Sequence, residues 1–387
     1  MTTRLSAPDT SLPPSLDNDA INDLLAEIAS QAAESDVEGD FPVDSFAALA
    51  EVGLLSVTLP GQALDGSTVN TPGLLQLLKR IGGANLAVGR VYEGHINALH
   101  LIHLVASNAQ KRGWFAEAQD HRLFSVWNTQ ANDGVRIHAV GNGRYVLEGC
   151  KTFCSGAGWI NRPLVTGELM DGQTARGWQV CIIPTEQVQP IPQDDSFWKP
   201  LGMRASASFK MDFTGVELTD DDLLGQPGDY YQQPHFSGGA IRFAAVQLGG
   251  AESLFEHTRQ FLRDLNRTGD PFQKARLAEM AWLVESGNQW INSAAQKTDQ
   301  WFLEKTDPAK TVTYANMTRT AIEGICTRVM QLTEQAVGAR GLLRPLPFER
   351  IIRDLTLYLR QPAPDATIQD IGAYVSTHSE TAHDLWH

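Results

Sequence analysis

Basic residues are the minority charge in this chain. Its 387 residues carry 31 Lys and Arg against 45 Asp and Glu, a formal charge of −14. A nucleic-acid-binding face needs clustered positive charge, so the composition argues against nucleic acid as a partner. An acidic chain can still hold an anionic cofactor through backbone N–H groups and a few arginines. Cysteine is also sparse: Cys150, Cys154, Cys181 and Cys326. Four in a chain this long do not make a disulfide framework, and the C-x3-C of Cys150 and Cys154 has no second Cys or His pair to complete a zinc site. The expectation is free buried thiols, no metal, and a reducing, cytoplasmic location. Long apolar runs are missing: none approaches the ~20 residues that span a bilayer. The N-terminus, MTTRLSAPDTSLPPSLDNDA, is polar and has no apolar segment of signal-peptide type. Residues 1–17 therefore read as a flexible lead-in, with neither signal peptide nor membrane anchor.

What is present falls into three textures. A chain of this length exceeds what one growing core supports, so two or three units are expected. Residues 18–120 show helical periodicity. DAINDLLAEIASQAAESD follows Asp17 or Asn18 as a cap, PVDSFAALAEVGLL runs from Pro42 to Gly53, and further helices are separated by Gly82-Gly83. Residues 121–235 break into runs of four to eight apolar or alternating residues between Gly-, Asn-, Asp- and Pro-rich turns. GNGRY is a hairpin signal, and the unit reads as an antiparallel barrel or sandwich. Residues 236–387 return to long amphipathic segments with the lengths of a four-helix bundle, followed by a tail. The fold class is α+β: helical domain, β domain, helical bundle.

Four stretches occur in an order that resembles the acyl-CoA dehydrogenase superfamily of flavoproteins. They are YVLEGCKTFCSGAG, FWKPLGMRASASFKMDFTGVEL, IRFAAVQLGGAESLFE and QAVGARGLLRPLPFERIIRDL, and the resemblance runs over roughly residues 20 to 362. It implies FAD, with FMN or a freely exchanging reduced flavin as the variant, held in a homodimer or homotetramer. The strand SVWNTQ implies flavin contacts at Trp127, Asn128 and Thr129, and the following hairpin implies Phe153 over the ring and Ser155 beside it. Gln335 and the loop from Gly338 to Gly341 correspond to positions that hold the pyrophosphate or adenosine across a subunit interface. Arg267 stands in for the arginine of a missing Arg-x-x-Phe-Gly segment, and Arg242 matches an arginine near the acyl-CoA substrate. The loop NTQANDGV is shorter than its counterpart in relatives.

The resemblance also exposes a missing base. Counted from Arg353-Asp354, Pro362 stands where the α-proton-abstracting Glu is found. The other customary position, just before Arg242, holds Ile241. Neither side chain can accept a proton. Asp365 is the nearest substitute base. A second branch of the superfamily uses reduced flavin and O₂ and needs no such base. Its Gly-His-x4-His segment is matched by GHINALHLIH, which points to His95 and His100 beside the flavin, with His103 nearby. Its C-terminal histidine is replaced here by Arg360 or Gln361. The main expectation is α,β-dehydrogenation of an acyl thioester, passing electrons to an acceptor protein. The alternatives are a monooxygenase supplied by a flavin reductase, or a catalytically inactive flavoprotein or scaffold. The substrate is a small molecule, with a CoA thioester as one class.

Overall fold

A computed structural model describes residues 16–186, 191–192, 197–360 and 362–386. Five helices come first: α1 (Asp19–Gln31), α2 (Val43–Glu51), α3 (Thr71–Ala84), α4 (Leu86–Val105) and α5 (Asn108–Gln119). Local chemistry sets their ends. Asn18 Oδ1 accepts from Ile21 N at 3.0 Å, so Asn18 rather than Asp17 caps α1. Ser107 and Gln110 form a reciprocal capping box at α5. Gly82 and Gly83 do not divide two helices as the sequence suggests. They lie inside α3, and the break falls at Asn85, whose side chain caps α4 by accepting from Ala87 N and Val88 N.

Ten strands follow: β1 (Phe124–Trp127), β2 (Arg136–Gly141), β3 (Arg144–Glu148), β4 (Cys150–Cys154), β5 (Arg162–Asp171), β6 (Thr174–Ile182), β7 (Ile191–Pro192), β8 (Phe209–Asp212), β9 (Glu217–Thr219) and β10 (Leu223–Leu224). Seven of them form a curled sheet in the order β10-β6-β5-β2-β3-β9, with β1 also on β5; β4, β8 and β7 form a second sheet. The unit is not purely antiparallel, as expected from its turn-rich texture: β1 and β2 both run parallel to β5. The reason is that α5 hands the chain directly to β1, which lies beside a strand reached only after β2–β4 have been traced. The GNGRY hairpin is present, with Asn142 (φ 54°) and Gly143 (φ 66°) as its two-residue turn. Gly149, at φ 105°, then lets the chain leave one sheet for the other. A Cβ there would stand 2.6 Å from Gly134 O.

Five helices complete the chain: α6 (Ala240–Asp264), α7 (Pro271–Glu304), α8 (Pro308–Gly341), α9 (Phe348–Tyr358) and α10 (Pro364–Thr377). Asp270-Pro271 and Asp307-Pro308 start α7 and α8, an Asp cap followed by Pro in the first turn. α6, α7 and α8 fold back on one another, and α9 packs against α6 and α8. The fourth segment expected from the sequence, FERIIRDLTLYL, is the 11-residue α9, and the sequence pattern gave no sign of α10. α3, α4 and α6 share one apolar core with Trp127 and Phe213 of the sheets. All four cysteines are buried free thiols. No helix among the described residues is long and apolar enough to cross a membrane.

His95 ties three of these parts together. From α4, its Nε2–H donates to Leu55 O at 2.7 Å and its Nδ1 accepts from Phe124 N at 3.1 Å. Burial holds its pKa down at about 4, against the ordinary 6.5. Unfolded, this imidazole takes a proton below pH 6.5; folded, it does not until about pH 4. Stability is therefore lost as pH falls through that window, by on the order of 3 kcal/mol from this residue. His95→Gln keeps one donor and one acceptor but cannot protonate. Its urea midpoint should fall less than that of the wild type between pH 7 and pH 5.

Candidate functional site: a cleft between α4, α6 and the curled sheet

One large cleft, about 730 Å³, opens between the helices and the sheets. Its helical wall begins on α4, an otherwise apolar helix with polar residues at helical spacing: Arg90, Glu93, Asn97 and His100. They form a relay. Arg90 Nη1 pairs with Glu93 Oε2 at 2.8 Å, and Glu93 Oε1 accepts from Asn97 Nδ2. Asn97 Oδ1 accepts from Arg242 Nε of α6 at 2.5 Å. His100 faces His235, with ring centroids 6.2 Å apart. Burial first, then the charge of Arg242, holds the His100 pKa well below its ordinary value; His235 is lowered by the same two causes. Both imidazoles are therefore neutral at pH 7 and can each give one hydrogen bond.

The sheet wall follows strand alternation. At the end of β1, Val126 and Asn128 face the cleft, while Trp127 turns into the core, its indole N–H on Ser155 O at 3.0 Å. Thr129 also lines the cleft, and its carbonyl accepts from Thr152 N at 2.8 Å. Asn128 is pinned from behind. Its Oδ1 accepts from Thr166 Oγ1 at 2.6 Å and Tyr231 Oη at 3.2 Å. Its carbonyl accepts from Lys151 Nζ at 3.0 Å. That ammonium also bonds Gln130 and Thr166, and burial lowers its pKa to about 8. The Asn128 amide N–H groups are left for the cleft. Phe153 is 39% exposed at φ 54°, a left-handed conformation that aromatic residues rarely adopt. The strained turn projects its ring into the cleft, edge-on to Phe197 at 5.4 Å.

The proline break closes the third side. Pro362 and Ala363 line the cleft, and Arg319 Nη2 of α8 holds Pro362 O at 2.7 Å. Ala363 turns left-handed at φ 39° and Pro364 starts α10 as its first helical residue. The break thus re-aims the chain so that Ala366, Thr367 and Asp370 of α10 border the same cleft. Tyr358, the last residue of α9, lines it as well, and its buried hydroxyl has no hydrogen-bond partner.

The cleft brings together Asn128, Thr129, Phe153, His100 and Arg242 of the residues singled out from sequence. Trp127 and Ser155 stand one layer behind; Ser155 Oγ bonds Ser208 Oγ at 2.8 Å. His95 does not line the cleft, and Asp365 is exposed on the outer side of α10's first turn. Arg267 pairs with Asp270 at 3.4 Å, away from the cleft. Gln335 and Gly338 lie exposed near the C-terminal end of α8, with Gly341 buried beside them. At 1.5 Å per residue they begin about 24 Å along the helix from Arg319. Gly338 interrupts the helix at φ 60°. Gln361 lies outside the described residues. Sequence reading missed Arg90, Glu93, Asn97, His235, Arg319 and Tyr358. The α4 set carried a usable signal, polar residues at i, i+3, i+4 spacing in an apolar helix; His235 sits in an aperiodic segment and carried none.

The acyl-CoA dehydrogenase N-terminal domain profile matches residues 19–120, and the C-terminal domain profile matches residues 228–359. The chain belongs to the acyl-CoA dehydrogenase family. Members are flavin-dependent oxidoreductases. A dibenzothiophene monooxygenase of Mycolicibacterium goodii is 24% identical over 372 residues, 88% of this chain and 89% of that one. A probable acyl-CoA dehydrogenase of Bacillus subtilis, YngJ, is 25% identical over 350 residues, covering 86% and 89%. A probable FMNH2-dependent monooxygenase of Pseudomonas putida, SfnC, is 24% identical over 391 residues, covering 94% and 95%. Among solved structures, FMN-bound TdsC from Paenibacillus sp. A11-2 superposes with a TM-score of 0.85 at 20% identity, covering 97% of this chain and all of that one. The positions that the sequence resemblance aligns with the family's customary base hold Pro362 and Ile241.

The unpartnered Tyr358 hydroxyl yields a direct expectation. Leaving it buried and unbonded costs the free protein about 1 to 3 kcal/mol. Tyr358→Phe should raise the unfolding free energy of the ligand-free protein, read from urea denaturation, by an amount of that order, and lower its affinity for whatever small molecule fills the cleft.

Proposed function

We propose that this protein is a reduced-flavin-dependent monooxygenase acting on a small molecule. The observation that carries the reading is the absence of an available carboxylate base among the described cleft residues. Pro362 and Ile241 occupy the customary positions. Glu93 has one oxygen on Arg90 and the other on Asn97, and Asp370 sits on the exposed rim. Dehydrogenation at a C–H next to a thioester needs such a base, so the main expectation from sequence gives way to its alternative. Two of the relatives above are described as monooxygenases, which supports the same choice; the probable acyl-CoA dehydrogenase YngJ stands on the other side.

The residues fit a flavin. Phe153 gives the cleft wall an aromatic ring, and the Asn128 amide is held so that it can donate to the rim of a ring system lying there. The proposed flavin is FMN, reduced by a separate reductase and exchanged; an FAD, with Arg267, Gln335, Gly338 and Gly341 holding its far half across a homo-oligomer interface, is the family's other arrangement. When bound, reduced flavin supplies two electrons to O₂, so that one oxygen atom enters the substrate and the other leaves as water. The chain's own part is positional. Neutral His100 and His235 each offer one N–H to an oxygen atom handled between them. Lys151 fixes the strand that carries Asn128. Pro362 and α10 restrict water at the third side. The units 18–120, 121–235 and 236–387 are the proposed domains, the cleft lying where they meet.

Two assays separate the chemistries. Supplied with FMN, NADH and a flavin reductase, the protein should consume O₂ and yield a product carrying one new oxygen. Under anaerobic conditions, a panel of acyl-CoAs should leave the bound oxidised flavin unbleached. Bleaching by any acyl-CoA would restore dehydrogenation and refute the proposal.

A further inference from the structure

The chain is acidic in net charge, yet it turns cations toward this cleft. Arg90, Arg242, Arg319 and Arg360 line it, against Glu93 and Asp370. Most of these charges are already met. Arg90 takes Glu93, Arg360 takes Glu323, and Arg319 reaches Pro362 O while stacking on Phe243 at 5.1 Å. Arg242 differs. It lines the cleft, its single hydrogen bond is Nε to Asn97, and among the described residues it makes no ion pair and neither Nη group has a hydrogen-bond partner. The carboxylate whose charge acts on it, Glu93, is already paired with Arg90 and bonded to the Asn97 amide. The set Arg90, Glu93 and Arg242 therefore carries one uncompensated positive charge in a recessed site, which is unfavourable unless a ligand anion meets it. The neighbours are arranged for this. His100 and His235 flank the guanidinium without adding charge, and Tyr358 of α9 lines the same cleft with an unbonded hydroxyl.

We propose that Arg242 anchors an anionic acid group of the substrate, a carboxylate, sulfinate or sulfonate, through its free Nη fork, so that the enzyme acts on a small organic acid rather than on a neutral aromatic. The inference rests on the monooxygenase reading for its substrate role. The geometry suits a planar fork meeting two oxygens, an arrangement stronger and more directional than a single contact. A cleft of about 730 Å³ that must also take a flavin ring leaves room for a small acid. The Asn97 relay holds the guanidinium plane, so the fork is ready before the ligand arrives.

The same cation could instead meet negative charge on the reduced flavin, and the test separates the two sources. Equilibrium binding is measured calorimetrically, without turnover, on FMN-loaded protein. The probes are matched pairs: benzoate against benzamide, and benzenesulfinate against methyl phenyl sulfone. Wild-type protein should favour each anion by tenfold or more. Arg242→Gln should abolish that preference, and Arg242→Lys, which keeps the charge but not the fork, should retain part of it. Affinity for oxidised and reduced FMN, read by fluorescence, should stay within about threefold in both variants. No anion preference in the wild type overturns the proposal, as does a preference that survives Arg242→Gln. Loss of reduced-FMN affinity in Arg242→Gln with the anion preference intact assigns the charge to the flavin and overturns it too. A fold defect in Arg242→Gln would appear as a lowered thermal midpoint, and Arg242→Lys then carries the comparison. Because binding requires neither O₂ nor reductase, anion preference with no oxygenation would sink the proposed function alone.

Discussion

The whole arrangement depends on how closely α3 and α6 approach. A Cβ built on Gly249 would stand 2.0 Å from Lys79 O, and one on Gly82 would stand 2.4 Å from Val246 O. Neither space exists, so only glycine lets the two backbones touch. α4 leaves α3 after a single residue, Asn85, and packs on α6 as well. The backbone contact of one pair therefore fixes the distance across the next, between Asn97 of α4 and Arg242 of α6. Lys79 reinforces it from the far side, bonding Glu252 of α6 and Asn288 of α7. A wider spacing would break the relay from Arg90 to Arg242 in the middle. The chemistry of the cleft is thus set by two glycines that never line it.

Those glycines also show where sequence reading stops. Gly-Gly in a helical stretch reads as a break, because glycine weakens helices and no partner is visible. Its actual role, close approach, belongs to a helix more than 160 positions away. Helix starts at Asn18 and Pro42 were legible, since such signals act over three or four residues. The Asn142–Gly143 turn was legible for the same reason. The parallel pairing of β1 and β2 with β5 was not: pairing direction is a property of the path, and alternation reads the same either way. In the site, family motifs reached Asn128, Thr129, Phe153 and Arg242. They also picked out Trp127 and Ser155, which stand behind the wall they support.

The histidine-rich helix draws a finer distinction. Three histidines on one helix invite a common role, but a helix has several faces. His95 points to the β1 junction and holds three elements together; His100, five positions on, reaches the cleft; His103 is half-exposed, between Asp65 and Lys111. Counting 3.6 residues per turn is enough to separate these faces along the sequence. The count does not say which face meets α6, because that depends on a helix far along the chain.

The proline break is the point where loss of one chemistry and shape for another coincide. A glutamate at position 362 would bring a carboxylate beside Arg319, on the wall facing Arg242. It would supply the base and, at the same time, neutralise the cationic lining. Proline removes the carboxylate and leaves its carbonyl to Arg319. It also bends the chain so that α10 comes back over the opening. On the proposed reading, a cleft with no carboxylate at position 362 and with its guanidinium unpaired favours anion capture over proton abstraction. A glutamate at 362 would compete with a ligand anion for the same positive lining, and proline leaves that charge to the ligand.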